Sequence, residues 1–266
     1  MVIQKEVGQT PLQAVEAMRA WYPGLKDAKM AYAGRLDPMA SGKLLVLLGE
    51  ECKKQEKYHK LAKTYRVEVL LGIGSDTGDV LGRIEGETPH APERRTLIKA
   101  VARLRGRFSA PYPIFSSRTV AGKPLHTWAI EGRLNEIEIP MNTTRIYNIR
   151  IDKVRTESGQ KIYDDAVAKV RSLPTVTEES KALGADFRRE DVEADWRRFL
   201  HKYETEQFTI VAITATVSAG TYMRTIAEVL GKKLGTRALA FSIHRTKLGK
   251  ILRIPLLGSF WYQEFK

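Results

Sequence analysis

The segment AYAGRLDPMASGKLLVLLG, residues 31–49, holds a carboxylate in a setting suited to chemistry. Asp37 lies directly before Pro38, between Gly34 and Gly42, and an apolar run follows. A rigid loop of this kind can hold one carboxylate at the mouth of a cleft, where it acts as a nucleophile or a general base. An aspartate followed by proline is also an ordinary N-cap of a helical turn. The spacing alone favours the N-cap, so a catalytic role needs independent support.

A second candidate is Arg224, which falls in the first turn of a helix predicted over residues 222–234. The helix dipole disfavours a cation at this position by roughly 0.3–1 kcal/mol. A nearby carboxylate or an RNA phosphate would compensate for that cost. A solvated arginine that tolerates the small penalty explains the position equally well.

Residues 63–66, KTYR, begin a predicted strand and place an aromatic side chain between two cations. Tyr65 would ordinarily pack in the core or against a neighbouring strand. It could instead serve as a stacking platform for a nucleic-acid base, which is worth about 1–3 kcal/mol. The cation run just upstream is typical of a solvated helix face. Its members are Lys53, Lys54, Lys57 and Lys60.

The chain offers no pattern typical of a metal or nucleotide cofactor site. Cys52 is the only cysteine, and the five histidines are scattered without metal-ligand spacing. Gly72 and Gly74 begin a G-x-G-x-x-G pattern, but Thr77 replaces the third glycine and a turn follows the strand. Residues 76–79 lack the spacing of a calcium loop and indicate a tight turn. We therefore expect neither a metal nor a cofactor.

The overall charge favours a polyanionic partner. The 266 residues include 44 Lys and Arg against 31 Asp and Glu, which gives a net charge of +13. Such an excess favours nucleic acid first and an anionic membrane surface second. No apolar run approaches the roughly 20 residues that cross a bilayer, and no export or organelle signal is visible. We expect a cytoplasmic protein that does not associate with membranes.

Several elements must position these side chains in the N-terminal part of the chain. Thr10, followed by proline, begins a predicted amphipathic helix over residues 11–22. The apolar run at 43–48 favours a strand buried on both faces, although a buried helix fragment would look the same. Residues 64–73 and 80–87 indicate the two strands of a hairpin around the turn-rich sequence SDTGD.

The middle of the chain is less regular. Residues 93–107 predict a basic amphipathic helix, and residues 109–136 lack periodicity and indicate a functional or clamping loop. Short strand-like patterns occupy residues 145–155 and 161–171. Residues 174–205 are charged in both signs and indicate an inserted helical excursion on the surface.

The C-terminal part returns to clear patterns. Residues 208–220 alternate as a strand, and the helix over 222–234 follows directly. No internal repeat or linker divides the chain. We therefore expect one mixed domain of helices and strands over residues 1–266.

Five segments, in order along the chain, resemble the motifs of the TruB-type tRNA pseudouridine synthases. Five ordered matches are specific, whereas any one of them alone would be weak. The segments are KEVGQT (5–10), GRLDPMASGKLLVLLG (34–49), KTYRVEVLLGIGSDTGDVLG (63–82), PIFSSRTVAGKPLHTWAIEG (113–132) and SAGTYMRTIAEVLGKKLG (218–235).

The resemblance implies both a fold and a reaction. The fold is of the α+β class: a mixed, mostly antiparallel central sheet, flanked by helices and loops, with the catalytic cleft across the sheet. The reaction detaches a uridine base at its N1–C1′ bond, turns it and rejoins it through C5, without a metal or redox cofactor. The usual bacterial target is uridine 55 in the T loop of tRNA, so the implied partner is the tRNA T arm. We expect the protein to act as a monomer.

The resemblance also implies roles for individual residues. Asp37 is the essential carboxylate, Tyr65 lies against the flipped base, and Arg224 pairs with Asp37, which keeps the carboxylate ionised and nucleophilic. Ile243 falls where the family has an apolar residue that lines the uracil pocket. The implied substrate-binding residues are Lys5, Tyr32, Gly34, Arg35, Lys63, Ile243 and Arg245.

The chain also departs from the family pattern. Tyr32 stands where the family commonly has a histidine linked with substrate handling, and Glu6 replaces a proline. The insertion at 174–205 has no counterpart, and no C-terminal RNA-binding module of the PUA type is recognisable. Two alternatives to a tRNA-modifying enzyme therefore stay open: a tRNA-binding or tRNA-folding chaperone without turnover, and a synthase that acts on ribosomal or guide-directed RNA.

Overall fold

A mixed sheet of nine strands forms the centre of the computed structural model, which describes residues 1–174, 188–254 and 258–266. Numbered along the chain, the strands of the described residues are β1 (Val2–Lys5), β2 (Met30–Ala33), β3 (Ala40–Leu48), β4 (Ala62–Leu71), β5 (Ile73–Ser75), β6 (Ile84–Glu87), β7 (Gly106–Pro111), β8 (Thr119–Val120), β9 (Lys123–Pro124), β10 (Met141–Ser158), β11 (Gln207–Val217), β12 (Ala238–Ile254) and β13 (Gly258–Glu264). The large sheet has the order β1-β3-β12-β4-β11-β10-β7, with β2 on β3 and β13 on β12.

Seven α-helices flank this sheet within the described ranges. They are α1 (Pro11–Trp21), α2 (Gln55–His59), α3 (Arg94–Ala102), α4 (Leu125–Ile130), α5 (Gly159–Arg171), α6 (Arg189–Tyr203) and α7 (Met223–Lys233). Among the described strands of the large sheet, only β3 and β12 pair in parallel, so the predicted α+β class with a mostly antiparallel sheet is confirmed. None of the helices in the described part is long and apolar enough to cross a membrane.

The core lies where the central strands meet α7. Val67 and Val69 of β4 face Ile213 and Val211 of β11 in register, and all four side chains are buried. Leu230 of α7 is also buried in this cluster. Each large apolar side chain removed from water contributes about 1.5–3 kcal/mol to the free energy of folding. The central strands and α7 therefore form a stable support for the site.

One glycine brings the candidate catalytic loop close to β12. Gly42 of β3 pairs with Arg245 of β12 and has a φ of +110°. A Cβ at this position would lie 2.3 Å from the Arg245 carbonyl oxygen. Only glycine allows this approach, which fixes the strand that follows Asp37.

Three elements differ from their predicted form. The basic helix predicted to residue 107 ends at Ala102, because Gly106, with a φ of +108°, begins β7. The pattern at 161–171 belongs to helix α5 rather than to a strand, since its buried side chains recur at helical spacing and Ser158 caps the helix by accepting a hydrogen bond from the Lys161 N–H. The strand within 80–87, β6, pairs with the short β5 and not with β4.

The predicted loop at 109–136 contains the β8–β9 hairpin and helix α4, whereas the other predicted helices and strands described below are present. The helix over 11–22 is α1, which begins with a capping box between Thr10 and Gln13. The runs at 43–48 and 208–220 lie in β3 and β11. Residues 175–187 of the predicted insertion lie outside the described residues. The helix α6 that follows them does not lie on the surface as predicted, because its Val192, Trp196 and Phe199 are buried in the main core.

Candidate active site

A cleft of about 960 Å³ opens over the sheet, and Asp37 lies in its wall. The Asp37 side chain is 39% exposed. Its loop crosses from β2 to β3 as a turn and not as the start of a helix, so the N-cap interpretation does not apply. Among the described residues its carboxylate accepts no hydrogen bond from its own turn, and its close partner is an arginine from another element.

That partner is Arg224, at the second position of α7. Its Nε lies 2.9 Å from the Asp37 Oδ2, and its side chain is 5% exposed. The Nε–H makes no aligned hydrogen bond within the described structure, so the contact with Asp37 is an ion pair. The guanidinium donates instead to the carbonyl oxygens of Thr77, at 2.8 Å, and Phe115, at 3.3 Å. These two bonds fix the direction from which the cation faces Asp37.

A second carboxylate, Asp79, faces the same guanidinium. Its Oδ2 lies 3.7 Å from Arg224 Nε, and its side chain is 5% exposed. Burial raises the pKa of Asp79, whereas Arg224 and a 2.7 Å hydrogen bond from Thr77 act in the opposite direction. Burial alone would lower the pKa of Arg224, but Asp37 and Asp79 raise it above its ordinary value. Asp79 is not among the predicted site residues, because the spacing of residues 76–79 indicates only a tight turn, although Asp79 falls in one of the five matched segments.

The turn that carries Asp79 is tightly built. Gly78 has a φ of +74°, and a Cβ there would lie 2.4 Å from a carboxylate oxygen of Glu228. Its carbonyl accepts a 2.9 Å hydrogen bond from the Ala240 N–H of β12. The Ser75 hydroxyl donates to the Asp79 carbonyl at 2.5 Å. The turn is therefore fixed to β12 through the Gly78 carbonyl and to β5 of its own hairpin through the Asp79 carbonyl.

Lys5 lies beneath the Asp37 loop rather than in the cleft. Its side chain is fully buried, and its ammonium donates to the carbonyls of Gln9 at 2.7 Å, Glu6 at 2.9 Å and Pro38 at 3.4 Å. Burial lowers the pKa of this ammonium to about 8, although the charge of Asp37 opposes the shift. Lys5 was predicted to contact the substrate. Its geometry instead favours a role in holding the Asp37 loop in place.

Arg245 is placed in the same way. It is fully buried and does not line the cleft. Its guanidinium donates to the carbonyls of Lys43 at 2.6 Å, Gly34 at 3.2 Å and Arg35 at 3.3 Å. Three bonds from one planar group fix the backbone on both sides of Asp37, a use suited to arginine.

The other predicted site residues do line the cleft. Tyr65 and Ile243 are 8% and 4% exposed and form part of its apolar wall. The further predicted residues brought to the same cleft are Tyr32, Gly34, Arg35 and Lys63. The loop predicted at 109–136 contributes Phe115, Ser116 and Ser117, which the sequence analysis did not single out.

Tyr222 also lines the cleft and was not predicted. Its ring packs edge-on against Tyr112, with the centroids 6.0 Å apart. Burial and the charge of Asp37 raise the pKa of its hydroxyl, so the phenol stays protonated at neutral pH. Within the described residues, no three His, Cys, Asp or Glu side chains lie together in a way that could hold a metal ion.

The mixed, mostly antiparallel sheet with flanking helices is the pseudouridine synthase fold. It matches a solved structure, "Crystal Structure of a Cbf5-Nop10-Gar1 Complex", with a TM-score of 0.54 at 17% identity, over 93% of this chain and 48% of that one. Within this class, the chain belongs to the TruB family of pseudouridylate synthases. The model of that family's N-terminal domain matches residues 23–169.

Individual relatives agree with this membership. The tRNA pseudouridine synthase B of Caldicellulosiruptor saccharolyticus is 26% identical over 94% of this chain and 67% of its own length. The protein of the same name from Bacillus licheniformis is 28% identical over 94% of this chain and 64% of its own length. The chain thus spans about two thirds of the length of these two curated relatives.

Proposed function

We propose that this chain isomerises uridine to pseudouridine in tRNA, at uridine 55 of the T loop. The observation that carries the proposal is the ion pair of 2.9 Å between the half-exposed Asp37 and the buried Arg224, at the wall of an open cleft. Membership of the TruB family and relatives named tRNA pseudouridine synthase B support the substrate class. The catalytic unit proposed here draws on cleft residues from Thr10 to Ile243, and thus on most of the chain.

The substrate must bring its base out of a folded loop before its glycosidic bond can be reached. Extrusion costs a few kcal/mol, which phosphate contacts and stacking can offset. The cleft offers both kinds of contact: Arg35 is exposed at its wall, and the aromatic Tyr65 lies within it. The net charge of +13 supplies the long-range attraction for RNA.

Chemistry then requires an ionised carboxylate next to the ribose and base. Arg224 Nε places a positive charge 2.9 Å from the Asp37 Oδ2. The N1–C1′ bond of uridine breaks, the uracil rotates, and a new C5–C1′ bond forms. The proton on C5 leaves to solvent and N1 ends protonated, so the product is an isomer of the substrate. No oxidant, reductant or metal takes part in this balance.

The remaining cleft residues would position the base. Tyr65 lies in the apolar wall with Ile243, where the two side chains can contact the faces of a pyrimidine. Lys5 and Arg245 hold the backbone around Asp37 from below. A carboxylate placed by fixed partners needs little reorganisation during the reaction.

Loss of the C5 proton gives a direct test. Purified protein is incubated with unmodified tRNA that carries 5-tritiated uridine, and released tritium is counted. Asp37→Asn keeps the shape of the side chain and removes its charge, so the rate should fall by about 10³-fold or more. Asp152→Asn, which alters a carboxylate paired with Arg150 outside the cleft, should retain the wild-type rate.

Binding is measured in parallel on the same RNA. Asp37→Asn should bind tRNA with near wild-type affinity, because phosphate contacts supply most of the free energy of binding. Tight binding by the wild-type protein without tritium release would favour the RNA-chaperone alternative. Near-normal turnover by Asp37→Asn would exclude this residue from the reaction.

The target position is tested separately. Pseudouridine is mapped at single-nucleotide resolution in total RNA from cells with and without the protein. A signal lost only at position 55 of tRNAs supports the proposed site. A signal lost in ribosomal RNA instead would identify the other substrate class.

A further inference from the structure

Helix α6, which falls in the predicted insertion at 174–205, packs against the hairpin that carries Asp79. The hairpin consists of β5, β6 and the turn between them, residues 73–87. Two neighbouring side chains of α6, Asp195 and Trp196, are 3% and 0% exposed. The Asp195 carboxylate and the Trp196 indole N–H both form hydrogen bonds with this hairpin.

Trp196 holds the peptide group between Val80 and Leu81. Its indole Nε1–H donates a 3.1 Å hydrogen bond to the Val80 carbonyl oxygen, within the buried interior. The same peptide group closes the turn, since its N–H, on Leu81, donates to the Asp79 Oδ1 at 3.0 Å. One peptide group therefore connects Trp196 to the carboxylate that faces Arg224.

Asp195 holds the other end of the same turn. Its carboxylate accepts hydrogen bonds from Arg83 Nε at 2.6 Å and from the Ile84 N–H at 3.1 Å. Ile84 is the first residue of β6. Residues 80–84 are thus fixed from outside by two successive residues of α6, while Gly78 is fixed from inside by β12.

We propose that Trp196 is a positioning residue for catalysis, which acts through Val80 and Asp79 on the ion pair between Arg224 and Asp37. The proposal rests on the proposed uridine isomerisation and adds to it a task for the insertion. A buried guanidinium shared by two carboxylates is sensitive to small displacements, and a misplacement of about 1 Å can cost 10²-fold in rate. The indole N–H removes part of that freedom at the Val80–Leu81 peptide, whose N–H donates to the Asp79 carboxylate.

The decisive variant is Trp196→Phe, which keeps an aromatic ring in the buried site and removes the donor. Single-turnover tritium release should slow by about tenfold, while the KM for tRNA should change by less than twofold. A purely structural role of Trp196 does not predict a slower single-turnover rate at an unchanged KM. All assays are run well below the Tm of the least stable variant.

Two matched controls separate position from packing. Tyr203→Phe removes another hydrogen bond from α6 to the same hairpin, donated to the Glu87 carbonyl at 3.1 Å but remote from Asp79 along the chain. Phe199 packs against Trp196, with the two ring centroids 5.4 Å apart. Phe199→Leu removes volume from this contact and leaves the indole donor in place. Both controls should keep the single-turnover rate within twofold of wild type, and Phe199→Leu should lower the Tm.

The outcomes are distinct. A slow Trp196→Phe with both controls near wild type supports the positioning role. Equal rates for Trp196→Phe and wild type, or an equal loss in Phe199→Leu, overturn it. If the wild-type protein itself releases no tritium, the proposed function fails, and that result is separable from a failure of the positioning role.

Discussion

Asp79 and Arg224 form a buried ion pair in which the carboxylate lies 3.7 Å from Nε and each side chain is 5% exposed. The same Nε lies 2.9 Å from the half-exposed Asp37. One cation therefore faces two carboxylates that both line the cleft, and Asp37 is the more exposed of the two. The arrangement offsets the cost of a cation in the first turn of α7 and couples Asp37 to a second, nearly buried carboxylate.

Replacing Asp79 by asparagine should slow uridine isomerisation without releasing the RNA. The guanidinium keeps its bonds to the carbonyls of Thr77 and Phe115, so Arg224 stays in place but loses one of its two charged partners. We expect the single-turnover rate to fall by about 10–100-fold, equivalent to roughly 1.4–2.7 kcal/mol of transition-state stabilisation. Tritium release and filter binding on the same tRNA measure the two quantities.

The pH dependence of this variant gives a second check. Burial raises the pKa of Asp79. As the pH falls, Asp79 therefore becomes protonated at a higher pH than an ordinary aspartate does. The wild-type rate should decline on the acid side as Asp79 becomes protonated, and Asp79→Asn should lack that component. If the rate of Asp79→Asn declines at low pH in the same way as that of the wild type, the decline belongs to another group.

Lys63 should make RNA binding sensitive to pH near 8. Burial, assisted by the charge of Arg245, lowers the pKa of its ammonium to about 8. The side chain lines the cleft, so its charge would act on a bound phosphate below that pH and vanish as the pH rises through it. We expect the Kd for tRNA to rise between pH 7 and 9 in the wild type. Lys63→Arg stays charged and should remove this component.

Arginine is larger than lysine, so its effect at pH 7 must be known first. Lys63 Nζ donates to the Leu61 carbonyl at 2.6 Å, and a variant that binds tRNA normally at pH 7 has kept the local backbone. The informative quantity is then the slope of log Kd against pH. Parallel slopes for the two proteins would show that the ammonium of Lys63 does not sense the RNA.

The sequence predicts much of this site because its motifs are local. The loop around Asp37, the strand that carries Tyr65 and the first turn of α7 are each short segments with typical turn, strand and helix signals. The prediction that Arg224 meets Asp37 rests on the resemblance, and the structure brings the two side chains together. Burial of Tyr65 beside the cleft also agrees with the predicted position.

Other features depend on tertiary contacts that no spacing reveals. Lys5 and Arg245 belong to matched or neighbouring segments, yet their charges are directed at backbone carbonyls beneath the loop. Asp79 looks like one residue of a polar turn until α7 places Arg224 beside it. Helix α5 was missed because its β-branched residues and short apolar groups resemble a strand when the packing partner is unknown.

Exposed cations at the cleft should make tRNA binding fall steeply with salt. Arg35 is exposed in the wall next to Asp37, whereas the exposed Arg150 pairs with Asp152 at 2.8 Å and does not line the cleft. If Arg35 contacts one phosphate, Arg35→Ala should lower the magnitude of the slope of log K against log salt by about 0.7–0.9, since one counterion fewer is released. Arg150→Ala should leave the slope unchanged. Equal slopes for all three proteins between 50 and 200 mM salt would place the phosphate contacts elsewhere on the chain. A wild-type affinity that does not change with salt would contradict the electrostatic basis of RNA binding.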